Sequence, residues 1–287
     1  MPRPGPEIHS LTCHRDLAIA IPCLRSLIQA TGCTLVLHED GSLGPADVDR
    51  LRESLPGVRL VLRQATEAAV LERLAPYPAC RRYRSQHPLS NKLLDIPLSL
   101  GSETSLRFCD GDVLFFKRVI GLFPEDRHRA VFCEEDDDGY SAAPWKLRLK
   151  FGFRLVSGLN SGLFQFPLAR LDLEFLEWFL GHPELLAIPG LAEQTAWALL
   201  LREAWPQVFA RDQIFCSTRR PLAVDSRLTA LHFLYHLKPR VHDFVSSAGE
   251  SLVANDPVTV EFRPPSALSV ARILRRRLFR RWRSRLN

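Results

Sequence analysis

The first sixty residues alternate strand and helix patterns, and this restricts the fold more than any other feature of the chain. Glu7–Thr12 reads as a strand. Leu17–Ala30 carries apolar residues at helical spacing, and Cys33–His38 (CTLVLH) is a short buried run. Pro45–Ser54 reads as a helix opened by proline, and Val58–Leu62 (VRLVL) as a third strand. Parallel neighbours need a crossover of a dozen or more residues, usually helical, so this order points to βαβ units and a parallel sheet.

The pattern continues less regularly. Leu89–Leu100 (LSNKLLDIPLSL) reads as a helix interrupted by Pro97, and Ser105–Cys109 as a strand running into Asp110-Gly111-Asp112. Val113–Phe116 and Ala130–Cys133 are further strands, the second ending in the acidic run Glu134–Asp138. Gly158–Phe166 looks like a turn entering a strand, Leu171–Leu180 and Ala192–Ala204 are helices, and Leu228–Tyr235 is a strand. With 287 residues, 46% of them apolar, the chain can bury one large core. The expectation is an α/β fold: one Rossmann-like domain over residues 1–260 with a mixed, mostly parallel central sheet. A basic amphipathic helix over 261–287 follows, set off by the Phe262–Pro265 segment (FRPP).

The net charge of +6 is a property of the tail. Leu268–Asn287 holds eight arginines and no acid, and without them the preceding chain stands at −2. Leu268, Ala271, Leu274, Leu278, Phe279, Trp282 and Leu286 recur at helical spacing among those arginines. Such a helix suits an anionic membrane surface, to which each exposed arginine contributes on the order of 1 kcal/mol. Packing on the domain is the alternative, and nucleic acid is an unlikely partner. Seven scattered cysteines without a CxxC pair read as reduced thiols rather than a zinc site. No secretory pattern and no run of about 18 apolar residues is present, which points to a cytoplasmic protein, peripheral at most on the inner face of the membrane.

Three Asp-x-Asp triplets occur, at Asp47–Asp49, Asp110–Asp112 and Asp136–Asp138. In an extended segment residues i and i+2 face one side, so two carboxylates can share a hard cation. Asp47 and Asp49 fall in a helix, where that spacing does not share a face. Asp136 and Asp138 sit in an acidic loop. Only Asp110–Asp112 stands between a buried strand and the apolar VLFF. Other candidates are Glu39-Asp40 at a second strand end, the Asn160-Ser161-Gly162 turn, Glu193-Gln194 at a helix start, and His232 through Lys238-Pro239. Each has a plain structural alternative: an Asp-Gly turn, a turn before a strand, acids favoured at a helix N-terminus, a strand histidine.

In their order along the chain, these pieces resemble the GT-A glycosyltransferases, most closely the family 8-like retaining enzymes. The resemblance covers roughly Ile8 to Asp243 and rests on Lys92 in NKLL, Asp110-Gly111-Asp112, Asn160-Ser161-Gly162, Glu193-Gln194, and His232 through Lys238-Pro239. It implies a Rossmann-like GT-A domain in which Asp110, Asp112 and His232 coordinate Mn²⁺ or Mg²⁺ and Lys238 contacts the diphosphate. Asn160, Glu193 and Gln194 would meet the donor sugar and carry the catalytic roles. Lys92, Gly111, Ser161 and Gly162 join the nucleotide-sugar site. Thr12 and Cys13 lie near the base, with Glu39 and Asp40 close by. The implied partners are a nucleotide-sugar donor, such as a UDP-sugar, and a glycan or lipid-linked acceptor. Tyr235 stands where the family usually has glycine, Arg240 where tryptophan is common, and Glu193 where aspartate is usual. Donor identity and stereochemical outcome stay open.

Two other readings compete. Gly101-Ser102 ahead of Asp110 fits a nucleotidyltransferase holding two metals, which would need a third carboxylate on a neighbouring strand. The arginine tail fits a non-catalytic membrane- or nucleic-acid-associated protein on a transferase scaffold.

Overall fold

The computed structural model describes residues 5–135, 138–203, 206–217, 227–247 and 253–267. It opens with β1 (Glu7–Thr12), α1 (Leu17–Thr31), β2 (Thr34–Glu39), α2 (Pro45–Ser54) and β3 (Arg59–Val61). Helices α3 (Arg63–Arg73) and α4 (Pro78–Gln86) precede a π-helical turn at Asn91–Asp95 and the short α5 (Ile96–Ser99). Then come β4 (Ser105–Cys109), β5 (Val113–Phe115), β6 (Lys117–Ile120), β7 (Val131–Glu134) and β8 (Leu159–Pro167). Helices α6 (Leu173–Leu180) and α7 (Ala192–Leu200) lead to β9 (Gln207–Phe209), β10 (Ile214–Ser217) and β11 (Ala230–Phe233). A 3₁₀ segment, Tyr235–Arg240, runs into α8 (Val241–Ser247), followed by β12 (Ala254–Thr259) and β13 (Phe262–Arg263).

Local chemistry sets the first boundaries. The chain leaves α1 through Gly32, left-handed at φ 64°, whose N–H donates to the carbonyl of Ile28. Helix α2 starts with Pro45 at its first position, and the Asp47 carboxylate accepts the N–H of Gly44 at 3.0 Å. The alternation therefore gives the expected parallel order: β1 lies between β2 and β4, and β3 flanks β2.

The main sheet has eight strands in the order β13-β9-β7-β8-β4-β1-β2-β3. β8 runs antiparallel between β4 and β7, and β13 antiparallel to β9, while the other neighbours are parallel. The sheet is mixed and mostly parallel, as the sequence led us to expect. A second, three-stranded sheet pairs β11 with β10 and, antiparallel, with β5. One apolar layer fills one face, where the rings of Phe132 and Phe164 stack at 5.0 Å and Trp197 lies 5.3 Å from Phe164. A second layer packs α1 against the other face.

Because β8 is antiparallel, its first residues lie at the same edge as the last residues of β4. The N–H of Asp110 donates to the carbonyl of Gly162. Cys133 and Glu134 at the end of β7 pair with Asn160 and Leu159. The ends of β1, β4 and β7 and the start of β8 thus meet along one edge, where ligands of open α/β sheets bind.

Several elements depart from the sequence expectation. The Leu89–Leu100 stretch folds as the π-helical turn and α5 rather than one interrupted helix. The wider turn places all of Asn91–Asp95 inside the protein. Helices α3 and α4 have no clear sequence signal because their exposed faces are polar and few residues anchor them, Val70 alone being buried on α3. Phe262–Arg263 forms an edge strand of the main sheet, and Ala267 bridges Val156, so residues just past 260 belong to the sheet. The expected C-terminal helix over Leu268–Asn287 lies outside the described residues, as do Asp136 and Asp137. No described helix is long and apolar enough to cross a membrane.

Candidate active site

Strand β4 delivers Asp110 to the sheet edge, and the Asp110-Gly111-Asp112 turn carries the chain into β5. Gly111 lies against α1, where an added Cβ would sit 3.0 Å from the Cβ of Ala20. Strand β11 closes over the turn: Phe233 donates its N–H to the Asp112 carbonyl at 3.0 Å, and His232 pairs with Val113. A residue 120 positions downstream is thereby set against the two acids. His232 Nε2 lies 2.9 Å from Asp112 Oδ1 and 3.7 Å from Asp110 Oδ2.

These three residues form the one His/Cys/Asp/Glu cluster of metal-binding geometry among the described residues, with ligand atoms within 4.8 Å of one another. Asp112 is buried, with Oδ1 facing His232 Nε2 and Oδ2 facing Lys238. One imidazole nitrogen and two carboxylates suit Mn²⁺ or Mg²⁺, whose ligand bonds are about 2.1 Å. The residues fit a divalent ion.

Charge around the turn is tightly paired. Lys92, enclosed at 2% exposure, donates to both Asp110 oxygens at 3.1 and 3.2 Å and lies 3.6 Å from Glu193 Oε1. Its ammonium also lies 4.7 Å from the Phe108 ring centre. Burial disfavours the Lys92 cation, but Asp110 and Glu193 outweigh it and raise its pKa. Burial raises the Asp110 carboxyl, partly offset by Lys92. Asp112 goes the other way. Burial opposes its charge, yet the neighbouring His232 and Lys238 together hold it well below the usual carboxylate range. Lys238 Nζ lies 2.9 Å from Asp112 Oδ2 and 3.7 Å from Asp16, and these partners raise its pKa against burial.

A cleft of about 560 Å³ opens in front of the acids. It is lined by Asp110, Gly111, Asp112 and Lys238 at one end, and by Thr12, Cys13 and Asp40 toward the β1 and β2 ends. Thr12 Oγ1 is buried without a partner. His14, Arg15, Asp16 and Ser42, absent from the sequence expectation, line the same space. Glu39 belongs elsewhere: its carboxylate accepts the N–H groups of Gly41 and Arg63 at 2.5 and 2.7 Å and does not line this cleft. It organises a turn.

Asn160, Ser161, Glu193 and Gln194 lie behind Asp110 in a buried polar cluster and do not line the cleft. Ser161 donates its hydroxyl to Glu193 at 3.0 Å, and its N–H reaches Gln194 Oε1 at 3.2 Å. Gln194 donates to the Gly139 carbonyl at 2.8 Å. At Gly162 an added Cβ would fall 2.1 Å from the His232 ring, so only glycine allows this approach. Among the other triplets, Asp47 caps α2 and bonds His14, while Asp138 accepts from Ser157 and Gly158. Both are structural roles. The sequence expectation also passed over Glu135, which lies buried beside Asn160 and Gln194 rather than in a solvated run. Burial pushes its carboxyl up to about 7, against the pull of Asn160 and Gly139.

No known protein-family model matches the sequence, and no curated protein matches it either. Solved structures with a similar backbone exist. Mouse xyloside xylosyltransferase 1 superposes with a TM-score of 0.56 over 79% of this chain and 96% of its own, at 14% identity. The galactosyltransferase LgtC, solved with donor and acceptor sugar analogues, gives a TM-score of 0.54 over 85% of this chain and 97% of its own, at 12% identity. The chain has the GT-A glycosyltransferase fold. At these identities the likeness speaks for architecture, and any activity must be argued from the site.

Proposed function

We propose that the chain is a metal-dependent glycosyltransferase, family 8-like, that moves a sugar from a nucleoside-diphosphate donor to a glycan or lipid-linked acceptor. The observation that carries this reading is the meeting of Asp110 and Asp112, from the turn between β4 and β5, with His232 from β11, beside a cleft of about 560 Å³ that both acids line. Structural neighbours whose names record xylosyl and galactosyl transfer support it.

In this reading Asp110, Asp112 and His232 hold Mn²⁺ or Mg²⁺. The ion supplies positive charge that stabilises the departing diphosphate. Lys238, already against Asp112, adds a point charge for the same phosphates. Thr12, Cys13 and Asp40 border the nucleoside end. Lys92 bonds both oxygens of Asp110, orients it and ties it to Glu193. Asn160, Ser161, Glu193 and Gln194 are buried behind Asp110 and do not line the cleft, so the sugar-contact and catalytic roles that the resemblance implied for them give way here to support of Lys92 and His232. The Arg-rich segment Leu268–Asn287 would bring the enzyme to an anionic membrane surface, which suits a lipid-linked acceptor. The nucleotidyltransferase alternative has less support, because the third metal-facing group is His232 rather than a carboxylate, and the buried Glu193 is engaged by Lys92 and Ser161.

The test is release of nucleoside diphosphate from UDP-, GDP- and CDP-sugars with Mn²⁺ or with chelator. Turnover that needs the ion and vanishes in Asp112→Ala is expected. Metal-independent turnover, or equal turnover by the variant, would refute the proposal.

A further inference from the structure

Residues 145–154 (WKLRLKFGFR) hold four cations and no acid, interleaved with one tryptophan, two leucines and two phenylalanines. Lys146–Lys150 form a π-helical turn in which only Leu147 is buried. Two residues on, Leu149 stands 55% exposed. Gly152, at φ 73°, turns the chain so that the rings of Phe151 and Phe153 stack with centres 6.1 Å apart. Trp178 of α6 meets them edge-on at 6.0 and 5.9 Å and is itself 37% exposed. Apolar groups are thus gathered at the surface beside basic ones.

Acids nearby do not cancel that charge. On α6, Glu174 accepts the Tyr77 hydroxyl and Glu177 accepts the N–H groups of Ala79 and Cys80, so both turn toward α4. Glu184 bonds Lys150 at 2.6 Å, and Asp172 lies 3.9 Å from Arg202. These two acids have cations of their own, and Lys146, Arg148 and Arg154 leave the face basic.

The Arg-rich segment departs from the same place. Ser157 donates its N–H to the Ser266 carbonyl at 2.8 Å, and Val156 bridges Ala267. Residue 268 therefore follows on beside Val156, two positions from Arg154. The eight arginines of Leu268–Asn287 have the same sign as the 145–154 face, so that segment is repelled by the face rather than seated on it. Both call for an anionic partner. An exposed leucine and indole among lysines and arginines suit the headgroup layer of a bilayer, where apolar groups sink in and cationic stems reach phosphate. A nucleic acid or an acidic protein would meet the cations but leave Leu149 without an apolar partner.

We propose that residues 145–154, with Trp178, form a docking face for an anionic lipid surface. The face builds on the tail contact proposed above and needs neither metal nor sugar transfer, so its test is independent of the enzymatic reading.

The full chain is sedimented, without metal or nucleotide, with vesicles of phosphatidylcholine alone and of phosphatidylcholine mixed with phosphatidylglycerol. Binding to the mixed vesicles only is expected. The double variant Lys146→Gln, Lys150→Gln should bind them about thirtyfold more weakly, about fivefold for each charge. Leu149→Ser should weaken binding about tenfold. Leu149 and Lys150 are exposed, so these variants keep the fold, which an unchanged Tm checks. Brominated lipid should quench a fluorescence component that Trp178→Phe removes. Equal binding to neutral vesicles, no binding to the mixed ones, or wild-type affinity in the variants, as a contact through the tail alone would give, overturns the proposal. So does quenching that Trp178→Phe leaves unchanged, or capture by duplex DNA in place of vesicles.

Discussion

Replacing Lys92 with methionine removes a cation that touches both Asp110 and Glu193. Methionine retains most of the apolar stem, so the change is mainly electrostatic. Two carboxylates are left in a buried site, with Glu193 3% exposed and its Oε1 already without a hydrogen bond. Breaking a buried pair from one side costs roughly 3–5 kcal/mol. Unfolding entropy of about 2.1 cal/mol/K per residue, over 287 residues, comes to about 0.6 kcal/mol/K. Calorimetry should therefore show Tm lowered by about 5–8 °C. Adding Glu193→Gln removes one of the stranded charges, so the double variant should lose less than the two single losses combined. A Lys92→Met protein within about 2 °C of wild type, or strictly additive losses, would refute the account of Lys92 as the shared counter-ion.

Three further outcomes follow from the same geometry. Burial, with Arg59 nearby, lowers His9 to about 4, and burial, His9 and Arg59 lower His38 to about 3. The unfolded chain therefore binds protons that the fold refuses below about pH 6.5. Stability should be unaffected by this pair above that pH and fall by about 3 kcal/mol from His9 alone on reaching pH 4. The acid limb of Tm against pH should flatten in His38→Gln, and an unchanged limb would contradict the assignment. In Gly162→Ala the new methyl must displace His232, so electron paramagnetic resonance should show Mn²⁺ left free under conditions that saturate the wild type. Asp47→Ala loses a helix cap, about 1 kcal/mol, and should leave Mn²⁺ binding intact; loss of binding would mean that the wrong triplet has been assigned.

How far the sequence could be read depended on the range of the forces involved. Strands β1, β2, β4 and β8 and helices α1, α2, α6 and α7 were legible because each carries its own periodicity or cap, as with Pro45 and Asp47 on α2. Asp110 and Asp112 stood out because two acids between apolar strands are costly unless used. Other site residues depend on long-range pairing. His232 meets Asp112 only because β11 pairs with β5, and a lone strand histidine gives no local sign of that. Glu39 and Glu135 show the same limit in opposite directions. Both are acids at strand ends, yet Glu39 turns into backbone N–H groups while Glu135 turns toward Asn160. Nothing within a few residues of either distinguishes them. Lys92 reads as an ordinary helix lysine until the π-helical turn points it inward.

The central claim is that Asp110, Asp112 and His232 bind a divalent ion that in turn recruits a nucleoside diphosphate. Thermal shift with nucleotide-sugars, with Mn²⁺ and with both together tests it most directly. At a hundred times the dissociation constant a ligand adds about 2.7 kcal/mol, or about 4–5 °C on the scale above. We expect at least one of UDP-, GDP- or CDP-sugar to give that shift only when Mn²⁺ is present, and Asp112→Asn to abolish it. A full shift without metal, a shift that survives in the variant, or no shift with any of the three donors would contradict the account.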